Sequence, residues 1–175
     1  MTVSNTRTQP KHTLRVVAAV LAVGLALGGG TAIAQQGLAI GGAQSNFGAR
    51  TLSGGFMPDP STVSIVSGGN LDARSMGLGP SCVGNVTRQP DFILNYQNAA
   101  GFLRFFAESS GDVTLIVNDA QGNWHCNDDS NGGLNPMVDI RNPPSGQYDV
   151  WVGSYSANEN LRSTLSITEL RSQHP

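Results

Sequence analysis

Lysine is almost absent. Lys11 is the only one in 175 residues, and it stands with Arg7 and Arg15 at the N-terminal end. The chain beyond that stretch therefore has no Schiff-base chemistry and no lysine general base. Charged residues make up only 13% of the sequence. No basic cluster of the kind that neutralises nucleic-acid phosphates exists, so nucleic acid is excluded as a partner. An anionic membrane surface is disfavoured for the same reason. A Gly-x-Ser-x-Gly elbow, a His-Glu-x-x-His zinc motif and a phosphate-binding glycine loop are also missing. Long apolar runs are limited to VVAAVLAVGLAL, Val16 to Leu27.

That run follows the three basic residues and precedes GGGTAIA, where Ala32 and Ala34 supply the small side chains a signal peptidase requires. At 1.5 Å per residue a twelve-residue helix covers about 18 Å, short of the roughly 30 Å hydrocarbon core. A cleaved signal peptide over residues 1–34 is expected, with export to the periplasm or the medium and no membrane contact afterwards; a retained anchor is the alternative. Cleavage leaves 141 residues, enough for one domain with a core. Seven arginines then face twelve acidic residues, a net charge of −5.

Only two cysteines occur, Cys82 and Cys126. In an exported chain the simplest reading is one disulfide, with free thiols or a metal site as alternatives. Closing that loop is worth about 4 kcal/mol in the chain-entropy model. His125 adjoins Cys126 but points the other way along a strand, so it does not complete a zinc site.

From residue 56 a two-residue period dominates. Phe92, Leu94 and Tyr96 share one face, as do Leu103, Phe105 and Ala107; Val113, Leu115 and Val117; Tyr148, Val150 and Val152; and Leu165 with Ile167. Turn signals AQGN, SNGG, NPPSGQ and SANEN separate the runs. This pattern predicts an all-β fold of seven to nine strands, an antiparallel β-sandwich of jelly-roll or Greek-key type in preference to a barrel. Residues 35–55 hold six glycines and no sustained period. They are expected to form a flexible tail or linker, with the domain spanning 56–171.

The run GDVTLIVNDAQGNW, the acidic turn after it, and PPSGQYDVWVGSYSANENLRSTLSITEL together resemble the bacterial pre-peptidase C-terminal domain family. The matching elements are Asp112, Leu115 and Val117 in one strand, Gly146, Tyr148, Val150 and Val152 in a second, and Leu165 with Ile167 in the last. GFMPDP, SCVG, QPDFILNY and CNDDSNGG are similar to a subgroup of short, stand-alone exported proteobacterial proteins, and the likeness covers Gly55 to Leu170. The resemblance implies a secreted β-sandwich with an accessory or binding role, often calcium-assisted, and no catalysis of its own. The usual arrangement appends such a domain to a peptidase; this chain carries none.

Two places invite a functional reading. In WHCNDDSNGGLNP, Asn127, Asp129 and Asn131 before Gly132 reproduce the alternate-Asx spacing of calcium loops. The bidentate glutamate of a helical calcium loop is replaced by Val138, so Asp112, Asp128 and Asp139 are the candidates to complete the ligand set. The competing reading is a turn that caps its own backbone. On the strand YDVWVGSY, Trp151 faces away from the core and, with Tyr155, is a candidate surface for a sugar ring or a protein, unless a loop or the glycine-rich tail covers it. The functional expectation is an exported, non-catalytic module binding an extracellular protein or glycan. A structural subunit whose tail pairs with a neighbour's sheet edge is the alternative. A peptidase or glycosidase is least favoured.

Overall fold

The computed structural model describes residues 1–2 and 37–175. Apart from Met1 and Thr2, the expected signal peptide lies outside the described residues. The chain separates into two units, 1–34 and 35–175, and no helix among the described residues is long and apolar enough to cross a membrane.

The fold is an all-β sandwich of two sheets. One sheet contains β1 (Ala49–Ser53), β3 (Leu71–Asp72), β4 (Asn85–Val86), β5 (Phe92–Gln97), β7 (Val113–Asn118), β8 (Trp124–Asn127) and β10 (Gly146–Ser154). The other holds β2 (Ser61–Val66), β6 (Phe102–Ser109), β9 (Met137–Arg141) and β11 (Arg162–Thr168) in the order β2-β11-β6-β9. Among the described residues every strand pairing is antiparallel except β1 against β5. The long β10 is central to the first sheet: β7 lies along one side, and β5 and β4 share the other.

All the alternating apolar residues read from the sequence meet in one core between the sheets. Tyr148 sits at its centre, its ring 5.8 Å from that of Phe105 and 6.4 Å from that of Tyr96. Among the described residues there are eleven strands where seven to nine were expected, because the two-residue β3 and β4 and the N-terminal β1 are too short or too glycine-flanked to carry a periodic signal.

Residues 37–55 are built into the fold and are not part of the flexible tail expected over 35–55. Phe47 and Leu52 pack against the core, and β1 pairs with β5 from Ala49↔Ile93 to Ser53↔Gln97. Upstream, backbone bonds join Ala39 N–H to the Arg88 carbonyl (2.8 Å) and Asn46 N–H to that of Pro90 (2.9 Å). The glycines taken as signs of flexibility make turns: Gly41, Gly48 and Gly55 adopt φ of 68°, 96° and 78°, conformations that side chains resist.

A second, smaller core lies on the outer face of the seven-stranded sheet. Ile116 and Trp151 point outward from it and are covered by Ala73, Leu71 and Leu78 of the connection between β2 and β4, and by Leu38. A 3-10 turn, Ala73–Met76, shapes that connection, with Asp72 capping it through the Arg74 N–H. Gly69 seats its start: a Cβ there would meet the Val86 carbonyl carbon at 2.0 Å. The Cys82–Cys126 disulfide ties the end of this covering layer to β8.

Candidate functional site

The acidic turn connects β8 in one sheet to β9 in the other. It is braced from within: Asn127 Oδ1 accepts the Met137 N–H (3.0 Å), Ser130 Oγ donates to the Asn135 carbonyl (2.6 Å), and Asn135 Oδ1 accepts the Ser109 N–H (3.0 Å). Asn131 takes the left-handed conformation of a turn residue, φ 52°. Asp139 leaves the set altogether. It lies on β9 opposite Arg104 and forms a two-pronged pair with it, Nε–Oδ1 2.6 Å and Nη2–Oδ2 2.9 Å. Arg104 also donates to the Arg171 and Gln173 carbonyls, so this pair fastens the C-terminal segment.

Of the six expected calcium ligands, Asp128 and Asp129 act on Asp112 through their charges. Burial holds the Asp112 carboxyl above its ordinary range, and the charges of Asp129, Asp128 and Glu159 push the same way. Asp112 Oδ1 is buried without a hydrogen-bond partner among the described residues. Even so, no three His, Cys, Asp or Glu side chains among the described residues are arranged to hold a metal ion.

His125 is occupied by a neighbouring turn. Its Nε2 lies 2.9 Å from Asp119 Oδ2, and Asp119 also accepts the backbone N–H groups of Gln121 and Asn123 at 2.9 Å. Burial raises the Asp119 pKa, but His125, the Asn123 side chain and those two N–H groups outweigh it and leave the carboxyl below its usual value.

Trp151 is not a ligand platform. It faces away from the main core, as its place in the alternation requires, but it is 0% exposed beneath the covering layer. Its ring lies 5.8 Å from that of Trp124. Tyr155 is exposed at the far end of β10, with the Arg74 guanidinium 5.3 Å from its ring centre. The two residues share no surface.

The rest of the outer face has a different character. Register places Thr51, Asn95 and Gln147 side by side on β1, β5 and β10, with Ser53 beside Gln97 one step along. Because direct neighbours share a face, these polar side chains line up opposite the core residues Leu94, Tyr96 and Tyr148. Residues 37–48 cross the face next to them as a strap: the Gly41 N–H donates to Asp149 Oδ2 (2.7 Å), and Gln147 Nε2 donates to the Gly42 carbonyl (2.7 Å). On one side of this strap is a cavity of about 220 Å³ bordered by Asn118, Asp119 and Asp149. An open cleft of about 450 Å³ lies along β5 and the start of β10, bordered by Asn95, Gln97, Asn98, Ser145 and Gln147.

Within the cleft, Gln147 and Asn98 are anchored, the latter through Nδ2 to Ser53 Oγ at 3.2 Å. Ser145 Oγ accepts the Ala99 N–H at 3.2 Å. Asn95 and Gln97 make no side-chain hydrogen bond to any described residue. The sequence contains this signal only in part. Asn95 and Gln97 alternate with Leu94 and Tyr96, which marks them as outward, but nothing in the linear order brings Gln147 beside Asn95. No family model matches the chain, and no curated protein matches it significantly.

Proposed function

We propose that this protein is an exported, non-catalytic binding module whose extracellular ligand occupies the cleft at the start of β10. One observation carries the reading. Asn95 and Gln97 present carboxamides with no side-chain hydrogen bond to any described residue, from a central strand into a cleft whose other polar groups are already anchored. Side chains on packed strands are held more accurately than side chains on loops, which favours recognition there. The disulfide fits an oxidising compartment. The two-sheet sandwich and the buried Tyr148-Val150-Val152 strand are what a pre-peptidase C-terminal-like domain would have. The structural-subunit alternative loses its motive, because residues 49–53 pair with the chain's own β5.

The experiment is binding to cell-surface material by the purified, oxidised protein and by an Asn95→Ala/Gln97→Ala double variant. Loss of binding with an unchanged melting temperature supports the cleft; equal binding by the double variant overturns it. The mass of the exported chain tests the other half, with Gln35 expected as the first residue.

Calcium enters this proposal as a stabiliser. The unpartnered Asp112 oxygen and the adjoining Asp128 and Asp129 are hard oxygen donors of the kind calcium takes. Asp139 and Asn127 would stay with Arg104 and the Met137 N–H.

A further inference from the structure

We infer that the cleft takes a short segment of a neutral, hydroxyl-rich glycan, held edge-on by carboxamides and not stacked on an aromatic ring. The inference rests on the proposal that this cleft is the binding site, and it specifies the ligand class.

The lining sets the chemistry. Four carboxamides and one hydroxyl border the cleft, from Asn95, Gln97, Asn98, Gln147 and Ser145, and no lining residue carries a charge. Each carboxamide offers a donor and an acceptor side by side. Neighbouring hydroxyls on a sugar ring make the reciprocal offer, since each both donates and accepts. The internal bonds already fix some of the roles. Gln147 spends its Nε2 on the Gly42 carbonyl and Asp149 Oδ1, leaving Oε1 to accept. Asn98 uses one N–H of its Nδ2 on Ser53, leaving Oδ1 to accept and the second N–H to donate. Ser145 accepts the Ala99 N–H, leaving its hydroxyl to donate. Asn95 and Gln97 keep both roles. The result is a grid of mixed donors and acceptors at about 4.8 Å across strands and about 6.8 Å along one, the scale of a sugar ring.

Other ligand classes find less. A phosphate, sulfate or uronate would leave its charge without a cation. A basic peptide would lack a carboxylate, because Asp149 is engaged by Gly41 and Gln147 at the strap. A peptide anchored by apolar side chains needs an apolar pocket. The only aromatic residue at the cleft is Tyr96, whose ring is fully buried in the core with its hydroxyl bound to Glu169. The same fact removes the stacking surface on which many sugars are held, so hydrogen bonding has to supply the selectivity. At about 450 Å³ the cleft is in the range of small-molecule sites.

The test is calorimetric titration of the purified, disulfide-bonded protein with neutral tetrasaccharides of glucose, mannose and N-acetylglucosamine. Tetragalacturonate and a random hexapeptide pool serve as the other arms. The expected result is binding of at least one neutral tetrasaccharide that changes little between ~0.1 and ~1 M salt. Asn95→Ala or Gln97→Ala should each weaken it by about two- to ten-fold, the value of one neutral hydrogen bond. Both variants should melt with the parent, since neither side chain has a hydrogen-bond partner among the described residues. If galacturonate or the peptides bind instead and the double variant loses them, the cleft stands as the site and the glycan class is overturned. If no probe binds at millimolar concentration, the glycan inference fails; if the double variant also keeps its cell-surface binding, the cleft fails with it.

Discussion

Asp91, just before β5, accepts the backbone N–H of Val152 on β10 at 2.8 Å, with its carboxyl almost completely buried. Its other oxygen accepts from Asn46 of the strap at 2.9 Å, and Asn46 in turn donates to Thr87. One carboxyl group thus joins the strap to the central strand. Burial raises its pKa to about 7, and the hydrogen bonds from Asn46, Val152 and Thr87 only partly offset the rise.

The sign of the resulting pH effect follows from proton counting. The unfolded chain releases this proton near pH 3.8, whereas the folded protein keeps it until about pH 7. Between those values the folded state binds more protons, so its stability falls as pH rises, by at most about 4 kcal/mol from this group. Asp91→Asn removes the titration while still accepting from Val152; Asn46 can turn its amide to accept from the new Nδ2, giving up its bond to Thr87. Melts of the variant should show a flatter slope between pH 4 and 7 and a higher midpoint than the parent at pH 8. An unchanged slope would assign the dependence elsewhere.

Trp124 and Trp151 are the only tryptophans in the chain, and both belong to the outer core beneath the disulfide-tied layer. Their fluorescence therefore reports that layer and not the main core. Reduction, or Cys82→Ala/Cys126→Ala, should cost about 4 kcal/mol by the loop-entropy estimate. It should also shift tryptophan emission to the red at denaturant concentrations where Tyr96 and Tyr148 remain buried. Coincident tryptophan and tyrosine transitions would make the layer part of one cooperative unit.

The main core was legible because burial on one face imposes a period of two. Residues such as Phe92, Leu115 and Val150 declare their side in any window. What lay beyond that signal was a third layer. Outward-pointing Trp151 and Ile116 look like surface residues in a two-sheet scheme, and only the approach of Leu38, Leu71 and Ala73, distant in sequence, buries them. The strap was hidden by composition: glycine serves flexible chain and positive-φ turns equally well, and hydrogen bonds to Arg88, Pro90 and Asp91 leave no local trace. The cleft depends on β5–β10 register. Asn95 and Gln147 meet across fifty-two positions of chain, which no periodicity encodes.

If residues 37–55 are built into the sheet, their amides must be slow to exchange. The N–H groups of Ala39, Phe47 and Gly54 each donate to a backbone carbonyl at 2.8–2.9 Å. Hydrogen exchange by mass spectrometry should protect peptides covering 37–55 to an extent approaching those covering β5, whereas a free tail exchanges at once. Exchange within seconds across that segment would restore the tail reading and leave the cleft without its strap.

Calcium gives the acidic turn its sharpest test, because the bound and free protein respond to acid in opposite ways. Without a cation, the folded Asp112 carboxyl has its pKa raised by burial and by Asp129, Asp128 and Glu159. Protonation relieves that cost, so this group favours the folded state as pH falls. With calcium the same carboxylates must be ionised, and the metal's contribution disappears on acidification. At a hundredfold excess over its dissociation constant, calcium should add about 2.7 kcal/mol, a rise of several degrees in a domain of this size. Asp112→Asn or Asp129→Asn should abolish the difference between calcium and chelator. Asp139→Asn, which weakens the pair with Arg104, should lower both melts together and leave that difference intact. Parent melts that coincide in calcium and chelator would mark WHCNDDSNGGLNP as a turn held by Asn127, Ser130 and Asn135, and Asp112 as an unrelieved electrostatic cost.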